Sequence, residues 1–433
     1  MASVAIVGLG VSGLGCALEL ARRRIPFTAY EKEKAPGGLA RTEAAGGFRF
    51  DYGPHILLGL PEELAAWFTE LPGLELVRCT GASGIVVGHR SDRVIPAPFQ
   101  HNLNWLPLPT RARLLFGAVV KAGGRETPPG NYSEFAVARC GRGIYDLFLG
   151  AYDSKRLRFP LDQMPADWTT RIEKTSLRSL LLPRNGFHRP RPGEREGSFF
   201  YPASGGIEAL PRAMAKLLPE DALHYGSELR EIDTKLKLVA FADGTVKSYE
   251  HLVLSLPLPE IVGLLKESPP DVRRAAENLL YTSIYILNAG FDGPVPPWFL
   301  LRTPDSALPF YRLSFPSHYS PGNAPEGKAI VVGEISHHPI RHPLSREEAS
   351  LQFDHGLRRM GILRPGQDIL VESIRDIRYG HVVYNHESRA SIQLILEHLG
   401  APPCRLPRGQ VRLASGIESS SPPAREDGGR TQL

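Results

Sequence analysis

Three glycines and one acid carry the most legible chemistry in this chain. Gly8, Gly10 and Gly13 follow the apolar run Val4-Ala5-Ile6-Val7, and Glu31 lies eighteen residues beyond Gly13. A backbone that turns at Gly8, stays bare at Gly10 and packs closely at Gly13 can approach a pyrophosphate and seat it on a helix start, where free N–H groups point outward. Ser12 belongs to that opening turn. An acid at the end of the following strand holds the hydroxyls of an adenosine ribose and repels a 2′-phosphate, so the pattern favours FAD or NAD over NADP. A glycine triplet also occurs in ordinary turns; its place between strand, helix and acid gives it meaning.

The elements that must position these residues are readable around them. Val4 to Val7 suits a buried parallel strand. From Ser12 to Arg24 the residues Leu14, Ala17, Leu18 and Ala21 recur at helical spacing, and Arg22, Arg23 and Arg24 sit where a helix end favours positive charge. Phe27 to Tyr30 predicts the second strand, closed by Glu31.

The next residues decide which dinucleotide is meant. Pro36-Gly37-Gly38-Leu39-Ala40-Arg41-Thr42 follows the second strand, and Phe48-Arg49-Phe50-Asp51-Tyr52-Gly53-Pro54-His55 follows that. Here the chain resembles the FAD-dependent amine oxidase superfamily, which includes flavin monoamine oxidases, protoporphyrinogen oxidases, phytoene desaturases and UDP-galactopyranose mutases. The resemblance implies FAD as cofactor, with Gly38, Leu39 and Arg41 along its pyrophosphate and ribose. Asp51 to Ile56 looks most like the mutases and their oxidase-like relatives. It implies that Gly53, Pro54 and His55 pass close to the isoalloxazine.

The same resemblance implies an α/β fold: a Rossmann-like FAD-binding domain of the GR2 type, with an α+β substrate domain inserted between its pieces. The expected division is 1–60 and 201–262 for the FAD domain, 61–200 and 263–400 for the substrate domain, the latter segment returning toward the FAD domain, and 401–433 for an atypical, disordered tail rich in Ser, Pro, Gly and charge. After His55 the pattern turns to short strands (Gly84 to Gly88), a Pro-punctuated segment (Ile95 to Gln100), helical stretches at 110–122 and 132–148, and an exposed loop from Arg184 to Gly197. The nucleotide part resumes at Tyr201 to Ile207, a helix at 208–218, two strands around the turn Ala242 to Thr245, and the apolar run His251 to Leu256. In the resembling proteins the backbone near the position of Leu229 recognises adenine. Strand-like runs at Ile284–Ala289, Phe310–Leu313 and Ala329–Glu334 suit a sheet over a substrate cavity, for which Tyr311, Arg312 and Tyr384 are candidates. Each is equally a core aromatic or structural ion-pair partner by type. A helix is expected at 388–399.

Family members normally finish with a Gly-Arg-Phe/Tyr-Gly turn and a helix beside the cofactor, whereas this chain runs Pro407 to Leu413 into the tail. Read one nucleotide later from Gly409, permitted codons allow Gly-Arg-Phe-Gly-Trp. A frameshift near codon 409 and a divergent terminus both explain the departure.

A length of 433 residues with 42% hydrophobic content suits two connected domains. No apolar run is long enough to span a bilayer, and the chain starts with a strand rather than a secretory leader, so a cytoplasmic location is expected. A net charge of +5 is a small excess that reads as solubility, with a small molecule rather than nucleic acid as partner. Cys16, Cys79, Cys140 and Cys404 show neither metal spacing nor a disulfide framework. His337, His338 and His342 read as a surface loop, and no metal is expected. Oligomeric state is left open.

The reaction implied is removal of a hydride or its equivalent from a small molecule to flavin N5, an oxidoreductase needing no protein nucleophile. Catalytic side chains are not identified by the sequence. Two alternatives stand beside it: a UDP-galactopyranose mutase-like isomerase, with Arg156, Arg158 and Arg312 as possible diphosphate contacts, and a flavin-free pseudoenzyme or binding protein.

Overall fold

A computed structural model describes residues 4–97, 99, 102–103, 106–114, 129–168, 172 and 198–400. The expected loop at 184–197, most of the helix at 110–122, and the tail with Gly409 and Cys404 lie outside the described residues.

Residues that alternate between two apolar faces build the first sheet. Four parallel strands run in the order Leu223–Tyr225, Phe27–Glu31, Val4–Val7, His251–Leu254. Ile6 packs with Leu14, Ala17, Leu210 and Met214 from helices Val11–Arg22 and Ala209–Ala215. On the other face, Ala5 and Val7 pack with Tyr30, Leu229, Phe241, Ile261 and Ile392. Burial on both sides explains why Val4–Val7 is continuously apolar. The first helix begins one residue before the expected Ser12 and ends at Arg22, with Arg24 already left-handed at φ 57°. An antiparallel sheet of Leu229–Asp233, Leu238–Phe241 and Val246–Ser248 covers this lobe. The helix expected at 388–399 forms as Ser388–His398.

The second large sheet has seven strands in the order Ile369–Val383, Leu280–Asp292, Lys328–His337, Arg312–Ser314, Leu300–Arg302, Ser83–Val86, Val94–Pro96. One face carries Tyr285, Leu287, Phe291 and Val331 against Phe353 of helix Arg346–Arg359. The opposite face, with Ile284, Ile286, Ile330, Val332 and Tyr311, meets Phe48 and Phe50 of the hairpin Thr42–Ala45/Phe48–Asp51. That hairpin follows the glycine segment directly, so this sheet face looks toward the nucleotide lobe.

Three expectations are corrected. The Pro-punctuated segment at Ile95 contributes an edge strand, Val94–Pro96, paired with Ser83–Val86; proline is tolerated because Pro96 faces Gly84 between bonded pairs, Ala97 N donating to Ser83 O at 2.9 Å, so its missing N–H falls on the open edge. His337 is not in a loop but ends strand Lys328–His337, buried, stacked on Tyr285 and 2.9 Å from Asp376. The strand expected at Phe310 starts at Arg312. Among the described residues no helix is long and apolar enough to cross a membrane, and no group of three or more His, Cys, Asp or Glu side chains could hold a metal ion.

Candidate functional site

The glycine turn has the close contacts its composition calls for. Gly8 has φ 95°, a region L side chains avoid, and its N–H donates to Tyr30 O at 2.8 Å. A Cβ on Gly13 would lie 1.9 Å from Gly8 O. Gly10 bridges to Gly37, whose N–H donates to Leu9 O at 2.8 Å, so the second glycine pair folds back over the first turn. A Cβ on Gly38 would stand 3.1 Å from Gly10 Cα. Helix Val11–Arg22 opens without a side-chain cap and without an acid in its first turn. Ser12 and Leu39 are exposed beside it. An uncapped, acid-free helix start is suited to an anion.

Glu31 is buried, and its carboxylate accepts from Leu9 N at 2.7 Å and Glu33 N at 3.0 Å. These bonds hold it against the turn while leaving lone pairs for a diol. Arg41 Nη1 lies 3.3 Å from Glu33 Oε2, and its buried Nε has no hydrogen-bond partner. Ser227 N donates to Glu31 O at 2.8 Å, which draws the start of strand Leu229–Asp233 to the same end of the sheet. The Leu229 side chain itself is buried with Tyr30.

Asp51 is a clamp that motif reading passed over. It accepts from Tyr201 Oη at 2.5 Å, Thr42 Oγ1 at 2.7 Å and Ile207 N at 3.2 Å. Burial pushes its carboxyl up to about 6, partly offset by those donors. This clamp fixes where Tyr52 to His55 emerges. Gly53 is buried at φ 137°, and its O accepts from His55 N at 2.8 Å. His55 Nε2 is buried with no hydrogen-bond partner. Burial, reinforced by Arg312 and opposed by Glu334, holds the imidazole down at about 4.

Opposite His55 the seven-stranded sheet presents a buried polar network. Glu334 is 2% exposed and accepts from Tyr311 Oη, Arg312 Nε and, at 2.8 Å, Arg312 Nη2. Tyr311 spends its single proton on Glu334, so at 3.1 Å it accepts from His381 Nε2, which fixes that tautomer. Burial drives His381 well below its ordinary value, with Arg156 and Arg312 adding to the effect. Tyr152 stands edge-on to Tyr311 at 6.0 Å, near Arg302, whose guanidinium burial pulls down.

Tyr311 and Arg312 therefore stand on the sheet face opposite His55. Tyr384 does not: it lines a separate apolar groove with Leu258, Val382 and Ile392, because the strand carrying His381 ends at Val383 and the chain turns there. Glu334, His381, Arg302, Tyr152 and Asp51 were missed. Glu334 had a signal, a lone carboxylate inside the apolar run Ala329 to Ile335, which must find a partner when buried.

Acidification offers a test of this environment. An unfolded imidazole titrates near 6.5 and takes its proton before the folded one does, so His55 contributes stability that is lost as pH falls from 6.5 through 4, about 2 kcal/mol between pH 7 and pH 5. Asp51 acts oppositely, since its folded carboxyl is protonated first as pH falls through 6. In urea unfolding at the two pH values, His55→Gln is expected to lose less stability on acidification than the wild type. Equal losses would exclude a buried neutral imidazole.

A profile for flavin containing amine oxidoreductases matches residues 11–383. Over 401 residues the chain is 25% identical to a zeta-carotene-forming phytoene desaturase of Myxococcus xanthus, a match covering 78% of this chain and 73% of that protein. The crystal structure of reduced UDP-galactopyranose mutase superposes with TM-score 0.82 at 24% identity, covering 92% of this chain and 88% of the other. A cofactor-binding redesign of putrescine oxidase superposes with TM-score 0.60 at 16% identity, covering 94% and 91%. The two structural likenesses speak for the fold. With its glycine cradle, its α/β architecture and a profile match spanning most of its length, the chain belongs to the flavin containing amine oxidoreductases and is a flavin-dependent oxidoreductase.

Proposed function

We propose that the flavin is FAD, bound from the glycine turn to Gly53-Pro54-His55, and that the enzyme oxidises a small molecule held between His55 and the Tyr311–Arg312 network. The observation that carries this reading is the pairing of an open helix start with two orphaned buried nitrogens, Arg41 Nε and His55 Nε2, along one path from Glu31 to the seven-stranded sheet. Those nitrogens fit the cofactor because neither makes a hydrogen bond within the protein, Arg41 Nε having only the Glu208 carboxylate at 3.7 Å, and polar atoms of FAD would supply one.

In this reading Gly8, Gly10, Ser12 and Gly13 form the pyrophosphate cradle, with Gly38 and Leu39 over it. Glu31 takes the ribose, Arg41 lies beside it, and the backbone near Leu229 faces adenine. The nucleotide lobe comprises 1–60 and 201–262, and the substrate lobe 61–200 and 263–400, the last part of which returns to the nucleotide lobe through helix Ser388–His398. Bound FAD supplies the redox chemistry by accepting a hydride or its equivalent. The protein's part is to hold the donor carbon, exclude water and keep His55 and His381 neutral beside it.

A second reading, sugar-nucleotide isomerisation without net redox change, draws on the TM-score of 0.82 to reduced UDP-galactopyranose mutase. Against it, Arg312 is already engaged by Glu334 on two nitrogens. The experiment is to purify the full chain, release any pigment for mass determination, and record anaerobic absorbance with candidate small molecules. FAD that bleaches with a substrate supports oxidation. FAD that must first be reduced, and stays reduced through turnover, supports the second reading. A colourless protein that refuses added FAD overturns both.

A further inference from the structure

Helix Gly150–Leu157 separates two chemical environments. Tyr152 and Arg156 face the network described above. Ala151, Ser154, Lys155 and, just past the helix, Arg158 recur three and four residues apart and line a different cavity of about 660 Å³. Ile85, Val86, Phe99, Leu147 and Leu308 give it an apolar wall. Exposed Gly88, Ser154 and Ser306 mark its opening to solvent.

The two cations in this cavity have only neutral hydrogen-bond partners. Lys155 Nζ donates to Thr303 O at 2.9 Å and Asp305 O at 2.8 Å, while Arg158 Nε donates to Ser336 O at 3.2 Å. Among the described residues neither cation is in a salt bridge, and Asp305 is the one acid of the lining; its Oδ1 accepts from Ala307 N at 2.8 Å. Lysine and arginine against one aspartate leave a single net positive charge. Burial pulls the Lys155 ammonium down to about 7 and lowers the Arg158 guanidinium as well. The Asp305 carboxylate offsets part of this for Lys155, while Arg158 has no acid of its own among the described residues, a cost that an arriving anion would relieve. Arg158 also holds a left-handed backbone, φ 49° and ψ 38°, where glycine or asparagine would sit with less strain. An arginine there is explained by what its side chain does.

We propose that this cavity is a second ligand site, on the face of helix Gly150–Leu157 turned away from the flavin-facing network, and that it takes a molecule with one carboxylate on an apolar body. The carboxylate meets Arg158 and Lys155, and the apolar body lies against Ile85, Phe99 and Leu147. A volume of about 660 Å³ is within the range of small-molecule sites. Because Lys155 is held by the carbonyls of Thr303 and Asp305, on the segment that follows Arg302, the ligand would bear on the loop behind the flavin-facing cluster.

The test is calorimetric titration of the full-length holoenzyme with decanoate, decanol, decyl phosphate and inorganic phosphate. The expected result is one decanoate per chain, with decanol, decyl phosphate and inorganic phosphate each at least tenfold weaker. Arg158→Gly relieves the backbone strain, so it should melt no lower than wild type and yet bind decanoate at least tenfold more weakly. Ser154→Trp fills the cavity from an exposed position and should abolish binding with flavin content unchanged. Decanoate binding unaltered in both variants, absence of saturable binding, or decanol or decyl phosphate equal to decanoate would each overturn the proposal.

Discussion

Gly13→Ala is expected to yield protein that retains no flavin and is destabilised by about 3 kcal/mol, at the upper end of the cost of overpacking a close contact. The added methyl would stand 1.9 Å from Gly8 O, a backbone atom with nowhere to go, because Gly8 is itself tied to Tyr30 and packed on Ser255. The helix must therefore lift off the turn that its start is meant to serve. Gly15→Ala is the matched control: nothing lies within 4 Å of its added methyl, and in the same helix it should stabilise by up to about 1 kcal/mol. Thermal unfolding and the ratio of flavin to protein absorbance read both variants. Normal flavin content in Gly13→Ala would remove the steric argument for the cradle.

Glu334→Gln should be the most damaging single change in the second sheet. The carboxylate is nearly inaccessible and answers for the Arg312 guanidinium and the Tyr311 hydroxyl together. Without it a buried cation stands uncompensated, at a cost of about 3–5 kcal/mol. The sign of the double variant is the more telling result. Glu334→Gln combined with Arg312→Met removes both charges and should recover at least about 2 kcal/mol relative to the sum of the single losses, as coupled partners do. Chemical denaturation of the four proteins closes the cycle. A coupling energy near zero would mean that the pair does not act as a unit.

The nucleotide lobe was legible because its logic is local. Gly8, Gly10, Gly13 and Glu31 lie within one strand–helix–strand unit, where Gly8 and Gly13 serve a positive φ and a close approach and the Glu31 carboxylate accepts the N–H groups of Leu9 and Glu33. The substrate side follows the opposite rule. His55, Arg302, Glu334 and His381 meet only because four separate segments converge, and a histidine at position 381 carries no mark of a tyrosine waiting at 311. Tyr384 was misplaced for the same reason, since the end of a strand decides which lobe an aromatic joins. Lys155 and Arg158 differ in that the helical spacing of 151, 154, 155 and 158 is readable, but the wall opposite them comes from strand Ser83–Val86 and the residues around Pro304.

The strand order of the parallel sheet bears on how the chain leaves the ribosome. Val4–Val7 is among the first segments made, yet one of its two neighbours, His251–Leu254, emerges more than two hundred residues later. At ordinary translation speeds that interval is roughly 12–49 s, during which one edge of Val4–Val7 lies bare. Ser255, which donates its N–H to Val7 O and abuts Gly8, follows directly, and Ile392, packed with Ala5 and Val7, arrives later still. Nascent chains halted before residue 255 should therefore depend on chaperone cover.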